Sequence, residues 1–164
     1  LANWHTYQVL TKRSERMRNL LAGKLRFASK QSNIWWGVSV ENRKHGLPRV
    51  EHLREAQAQV RFLSIEPLLE NLGPFSLKGI NWVIVGGESG PGARPIAKTW
   101  VLAIRNQCKR AKVPFFLKQW GGVRKATTGR TLDGKTYNEF PARKLAAVPS
   151  AAELLAMREE IEFV

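Results

Sequence analysis

Five short apolar runs, His5–Thr11, Ile34–Val40, Val60–Ile65, Trp82–Val85 and Pro114–Leu117, recur along the chain at a spacing that constrains the fold more than any other feature. One marker per run, Val9, Val38, Leu63, Val85 and Leu117, gives separations of 29, 25, 22 and 32 residues. One strand plus one crossover helix needs about that length. β-Branched and aromatic residues fill the runs, and each ends in polar residues. The near-continuous apolar character of Trp82-Val83-Ile84-Val85 fits parallel strands covered on both faces better than antiparallel strands with one wet face. The expected fold is therefore α/β: a partial (β/α) barrel, or an open parallel sheet of about five strands with crossover helices. Residues 1–141 make up this domain, and 142–164 form a helical tail.

The connections carry helical patterns. Ser14 is placed to cap a helix running through Leu20-Leu21, with Gly23 ending it. Arg49–Ala58 repeats apolar residues at Val50 and Leu53, and Thr99 can cap a helix bearing Val101, Leu102, Ile104 and Cys108. Leu68–Gly79, with Asn71, Gly73, Pro74 and Gly79, reads as an irregular loop or short helix. Asp133-Gly134 predicts a tight turn within Thr131–Phe140. Ser150 and Glu153 have capping-box spacing for a helix over roughly Ser150–Glu160.

Apolar residues make up 43% and charged residues 24% of the 164 residues, an ordinary globular balance that excludes wholesale disorder. The longest apolar stretches fall far short of the roughly 18 residues of a membrane span, and the cytoplasm is the expected compartment. Leu1-Ala2-Asn3-Trp4-His5 shows neither a leader pattern nor an initiating Met, so an upstream segment is expected to have been removed. A single cysteine, Cys108, cannot form an internal disulfide or hold a cluster alone, and its helical spacing with Val101 and Ile104 marks it as packing. His5, His45 and His52 lack a metal-binding spacing, and no metal is expected. The formal net charge of +14 favours anionic partners, nucleic acid among them, although the basic residues are spread along the chain.

Parallel α/β folds bind ligands at the carboxyl ends of their strands, where loops vary and helix amino termini point. Here those ends offer Thr11-Lys12-Arg13, Ser39 with Glu41, Ser64 with Glu66, Gly86-Gly87-Glu88-Ser89-Gly90, and Lys118-Gln119-Trp120. Glu41, Glu66, Glu88 and Lys118 are the catalytic candidates, although each glutamate equally suits an ion pair with Lys12, Arg13 or Arg94. Ser39, Gly86, Gly87 and Glu88 are candidates for cofactor binding. Four glycines between Gly86 and Gly92 let backbone amides approach a ligand, or serve a structural turn. Lys12, Arg13 and Arg94, with Trp120 as a stacking surface, are the nucleic-acid candidates.

Five ordered blocks resemble one family: Tyr7-Gln8-Val9-Leu10-Thr11-Lys12-Arg13, Trp36-Gly37-Val38-Ser39-Val40-Glu41-Asn42, Phe62-Leu63-Ser64-Ile65-Glu66-Pro67-Leu68-Leu69, Trp82-Val83-Ile84-Val85-Gly86-Gly87-Glu88-Ser89-Gly90 and Phe115-Phe116-Leu117-Lys118-Gln119-Trp120-Gly121. From about Thr6 to Pro141 the chain is similar to the phage-associated gene-product thirty-seven/sixty-eight family. Members look like radical S-adenosylmethionine proteins, partial β/α barrels with a three-cysteine motif that binds a [4Fe–4S] cluster. The resemblance implies S-adenosylmethionine and that cluster for full-length relatives only, since the match begins at about the third strand and lacks the cysteine loop. By analogy it sets Ser39, Glu41, Glu66 and the Gly86–Glu88 turn near S-adenosylmethionine.

Three functions follow as expectations: a fragment or degenerate member of that family, without cluster cysteines and inactive alone; a nucleic-acid-associated module using the basic surface; or a metal-independent enzyme built on the strand-end carboxylates. The first strand would be an open edge, to be covered by a missing N-terminal half, by a second copy, or by the tail, whose Leu154, Leu155, Met157 and Ile161 offer an apolar face.

Overall fold

The computed structural model describes residues 2–143 and 146–162, the side chains of 125, 126 and 159–162 excepted. Five strands, β1 (Tyr7–Thr11), β2 (Ile34–Ser39), β3 (Val60–Ile65), β4 (Trp82–Gly86) and β5 (Phe115–Gln119), form one sheet in chain order. Every neighbouring pair is parallel. Among the described residues the sheet stays open, with β1 and β5 at its edges. Helices α1 (Ser14–Ala22) and α2 (Arg26–Ser29) link β1 to β2, α3 (Arg43–Glu55) links β2 to β3, and α4 (Lys98–Ala111) links β4 to β5. The β3–β4 connection is an irregular loop, as its Asn, Gly and Pro content predicts. After β5 come the short helix α5 (Lys125–Thr128), a hairpin of β6 (Thr131–Leu132) and β7 (Lys135–Thr136), and α6 (Ala151–Glu162). Asp133 and Gly134 both take positive φ in the hairpin turn.

Strand alternation sorts the side chains into two layers. Trp36, Val38, Leu63, Ile65, Val83, Val85, Phe115 and Leu117 pack with Met17 and Leu21 of α1, Val50 and Leu53 of α3, and Val101, Ile104 and Cys108 of α4. Trp35, Phe62 and Trp82 form a separate cluster on the other face, with Ile84 and Phe116 against it. The crossover helices α1, α3 and α4 therefore lie on one face, as crossovers of a single hand between sequential strands require. That is the helix placement of a β/α barrel, realised here on an open sheet. On the helix-free face the phenyl ring of Phe62 lies over Gly37, which leaves no room for a Cβ there. The 138–143 segment closes over this layer. Phe140 stacks 4.9 Å from Trp82, whose indole N–H donates to the Glu139 carbonyl at 2.8 Å, and Arg143 lies over Trp35.

Four local expectations need correction. Ser14 is the first residue of α1 rather than its cap; its hydroxyl is drawn 3.0 Å from His52 Nδ1 on α3. Helix α3 starts six residues before Arg49, because Asn42 accepts from the His45 amide and outweighs the breaking tendency of Gly46 and Pro48. Thr99 lies inside α4, which follows an uncapped Ala97. The tail does form a helix with its capping box, Glu153 accepting from the Ser150 amide at 2.7 Å, yet it does not cover the β1 edge. Leu154, Leu155 and Met157 are exposed, as are Tyr7, Val9 and Leu10 of β1; the Ile161 side chain lies outside the described residues.

Candidate functional site

The strand ends converge as the fold class requires. Lys12 follows β1, Glu41 follows β2, Pro67 follows β3, and Glu88 and Arg94 follow β4; all line one cleft of about 350 Å3. His45 and Arg49 of α3 complete it. Neither is among the candidates read from the sequence, where His45 is weighed only as a metal ligand. The signal was the Asn42 cap, since a helix starting there puts positions 45 and 49, four apart, on one face above the cleft.

The carboxylates of this cleft are already matched with cations. Glu41 is 7% exposed, and its two oxygens meet Lys12 Nζ at 2.5 Å and Arg49 Nη1 at 2.7 Å. Arg49 Nη1 also donates to the Ser39 carbonyl at 2.8 Å, which pins Ser39 by its backbone. Burial pulls the Glu41 carboxyl upward, but hydrogen bonds from Lys12, the backbone and Arg49 outweigh it and hold the group below its ordinary value. Glu88 takes a two-pronged grip from Arg94, Nε and Nη2 each 2.8 Å from an oxygen, with the Arg94 amide at 2.9 Å. Arg94 drives its pKa down to about 2. Both carboxylates are therefore ionised at neutral pH and suited to electrostatic contact, not to donating a proton.

Glu66 stands apart from that cleft. It pairs with Lys118 Nζ at 3.3 Å and accepts from the Ser64 hydroxyl at 3.3 Å. Alternation puts Ser39, Ser64, Gly86 and Lys118 on the helix-free face at its carboxyl end, with Ser39 directly opposite Ser64. Gly86 is required there: a Cβ would run into the Glu66 carboxylate. The sequence candidates thus divide between the strand-end cleft, with Lys12, Glu41, Glu88 and Arg94, and the upper rim of the helix-free face, with Ser39, Glu66, Gly86 and Lys118.

The glycine turn after β4 is zipped to the loop after β5. The Gly87 amide donates to the Gln119 carbonyl, Gly122 to Glu88 and Gly90 to Gly122, and the two backbones approach closely enough that neither Gly87 nor Gly121 has room for a Cβ. These amides serve packing and hold Glu88 in place. Trp120 is half-buried against the core, and its indole N–H donates to the Thr131 carbonyl at 2.8 Å, which makes it a brace for the following loop. Arg13 lies outside the cleft, on the neighbouring surface of α1.

Among the described residues no three His, Cys, Asp or Glu side chains are grouped to hold a metal ion. Burial, then the nearby Glu139, pushes the Cys108 thiol up to about 12. These residues do not fit a [4Fe–4S] cluster, which needs several thiolates. No helix is long and apolar enough to cross a membrane, among the described residues. A family model described as "Protein of unknown function (DUF5131)" matches residues 1–141, and the chain belongs to that family. No curated protein and no solved structure matches it.

Proposed function

We propose that this member of the DUF5131 family is a ligand-binding β/α domain whose strand-end cleft takes a small zwitterion, S-adenosylmethionine on the resemblance to the phage-associated radical S-adenosylmethionine-like family. The observation that carries the reading is the alternation of charge around the cleft: ionised Glu41 and Glu88 stand beside Lys12, Arg49 and Arg94. A ligand carrying both an ammonium and a carboxylate can exchange into such a lattice without leaving a buried charge unpaired. Redox chemistry would require cluster ligands from outside these 164 residues, so the chain binds and orients and does not turn over alone.

The metal-independent enzyme is less well supported, because each strand-end glutamate is locked to a cation. The test is calorimetric titration of S-adenosylmethionine, methionine and S-adenosylhomocysteine into the wild type, Glu88→Gln and Lys12→Met. Binding weakened at least tenfold in both variants, about 1.4 kcal/mol or more, is expected. No binding to the wild type, or equal binding by Glu88→Gln, would overturn the assignment.

A further inference from the structure

A second cleft, of about 510 Å3, opens between the first turns of α1 and α3. Lys12, Arg13, Arg16, Lys44 and Arg49 line it, with Glu15 as its one acidic lining residue. Lys12 and Arg49 are held by Glu41, but Arg13, Arg16 and Lys44 are exposed and belong to no ion pair of the described residues. Helix α1 begins without a side-chain cap, so the partial positive charge of its first turn adds to theirs.

We propose that this shelf binds the phosphodiester backbone of a nucleic acid. Phosphates repeat every few ångströms along a strand. Unpaired cations on two different helices can engage successive phosphates, whereas a single phosphate would leave some of them unused. Two of the three are arginines, whose planar fork matches phosphate oxygens. Lys12, His45 and Arg49 line both this shelf and the strand-end cleft. A nucleic acid on the shelf therefore borders the ligand in the cleft. Only this last step rests on the function proposed above.

The test is fluorescence anisotropy with short labelled single-stranded DNA, duplex DNA and RNA between about 50 and about 200 mM salt. The wild type is compared with the triple variant Arg13→Glu, Arg16→Glu, Lys44→Glu. The control is Lys109→Glu, Lys112→Glu, Lys135→Glu, which makes the same change in net charge in the cleft of about 640 Å3 at the amino end of β5. The shelf variant should lose at least tenfold in affinity and about three units of the log–log salt slope, at roughly 0.9 per phosphate contact. The control should lose far less. Equal losses in the two variants, loss confined to the control, or a wild type that binds none of the three probes would overturn the proposal. Displacement by micromolar inorganic phosphate or nucleoside triphosphate would also overturn it, by assigning the shelf to a small phosphorylated molecule. Titrating S-adenosylmethionine into the same proteins separates the two proposals. A wild type that binds nucleic acid through the shelf but no S-adenosylmethionine sinks the earlier reading and leaves this one standing.

Discussion

Replacing Glu41 by Gln removes one charge and almost no volume from the bridge between β2 and α3. The loss can be worked out contact by contact. Lys12 is 64% exposed in its side chain, so its arm behaves as a surface pair worth about 0–1 kcal/mol. Arg49 is only 18% exposed, and its charge-assisted bond is worth about 1.5–3 kcal/mol. The amide oxygen of Gln can still accept, and Arg49 keeps the Ser39 carbonyl. The expected destabilisation is therefore about 2 kcal/mol, in the lower part of the summed range. At roughly 2–4 °C per kcal/mol for a domain of this size, Tm should fall by about 4–8 °C in a thermal melt followed by circular dichroism at neutral pH. Glu55→Gln, which removes an exposed partner of Arg18, should cost less than about 0.5 kcal/mol. The pH dependence has a definite sign. Glu41 titrates lower in the native state than in the unfolded chain. Its contribution is thus complete above the ordinary carboxylate value of 4.5 and is lost as pH falls through the lower native value. The gap between wild type and variant should close on acidification. An unchanged Tm at neutral pH, or a gap that persists at the acid end, would refute the role assigned to the bridge.

Gly37→Ala should destabilise by about 1–3 kcal/mol, the usual range for overpacking, because its methyl would sit inside contact distance of the Phe62 ring, which is itself wedged against Trp82; a denaturant midpoint equal to the wild type would contradict this packing. Cys108, with its thiol near 12, should resist a thiol reagent at pH 8, where only about one in ten thousand thiols is ionised, and should react on unfolding. Rapid reaction of the native protein would show that the thiol is accessible.

The sheet was legible because its signal is long-range and redundant: five apolar runs at crossover spacing admit few topologies, and all five strands lie where the runs do. Helix starts were less legible because they depend on which of several local hydrogen bonds wins. Asn42 caps α3 through the His45 amide despite Gly46 and Pro48 within the helix, and Ser14 turns to His52 instead of capping α1. The first outcome is a local bond three residues long, whereas the second is set by tertiary contact between α1 and α3. The convergence of Lys12, Glu41, Glu88 and Arg94 followed from the fold class. The separation of Glu66 from them did not, because it rests on the face to which the pleat turns each residue just beyond a strand end, and a shift of one residue reverses that. Nor could spacing reveal that the glycine turn would spend its amides on the loop after β5.

The ion pairing of the glutamates decides what each surface can attract. In a chain with 27 basic and 13 acidic residues, cations outnumber carboxylates about two to one. The acids at the strand ends gather their own: Glu41 takes Lys12 and Arg49, Glu88 takes Arg94, and Glu66 takes Lys118. A simple anion entering the cleft would compete with Glu41 and Glu88 for those cations, and a simple cation would compete with Lys12 and Arg94 for the carboxylates. Only a ligand bearing both charges replaces what it displaces. On the adjoining shelf that constraint ends, because Arg13, Arg16 and Lys44 belong to no ion pair of the described residues. A polyanion there loses no pairing and releases counterions. On the two proposals above, the adjoining surfaces take different kinds of ligand, and the expected salt dependences differ: steep on the shelf, shallow in the cleft.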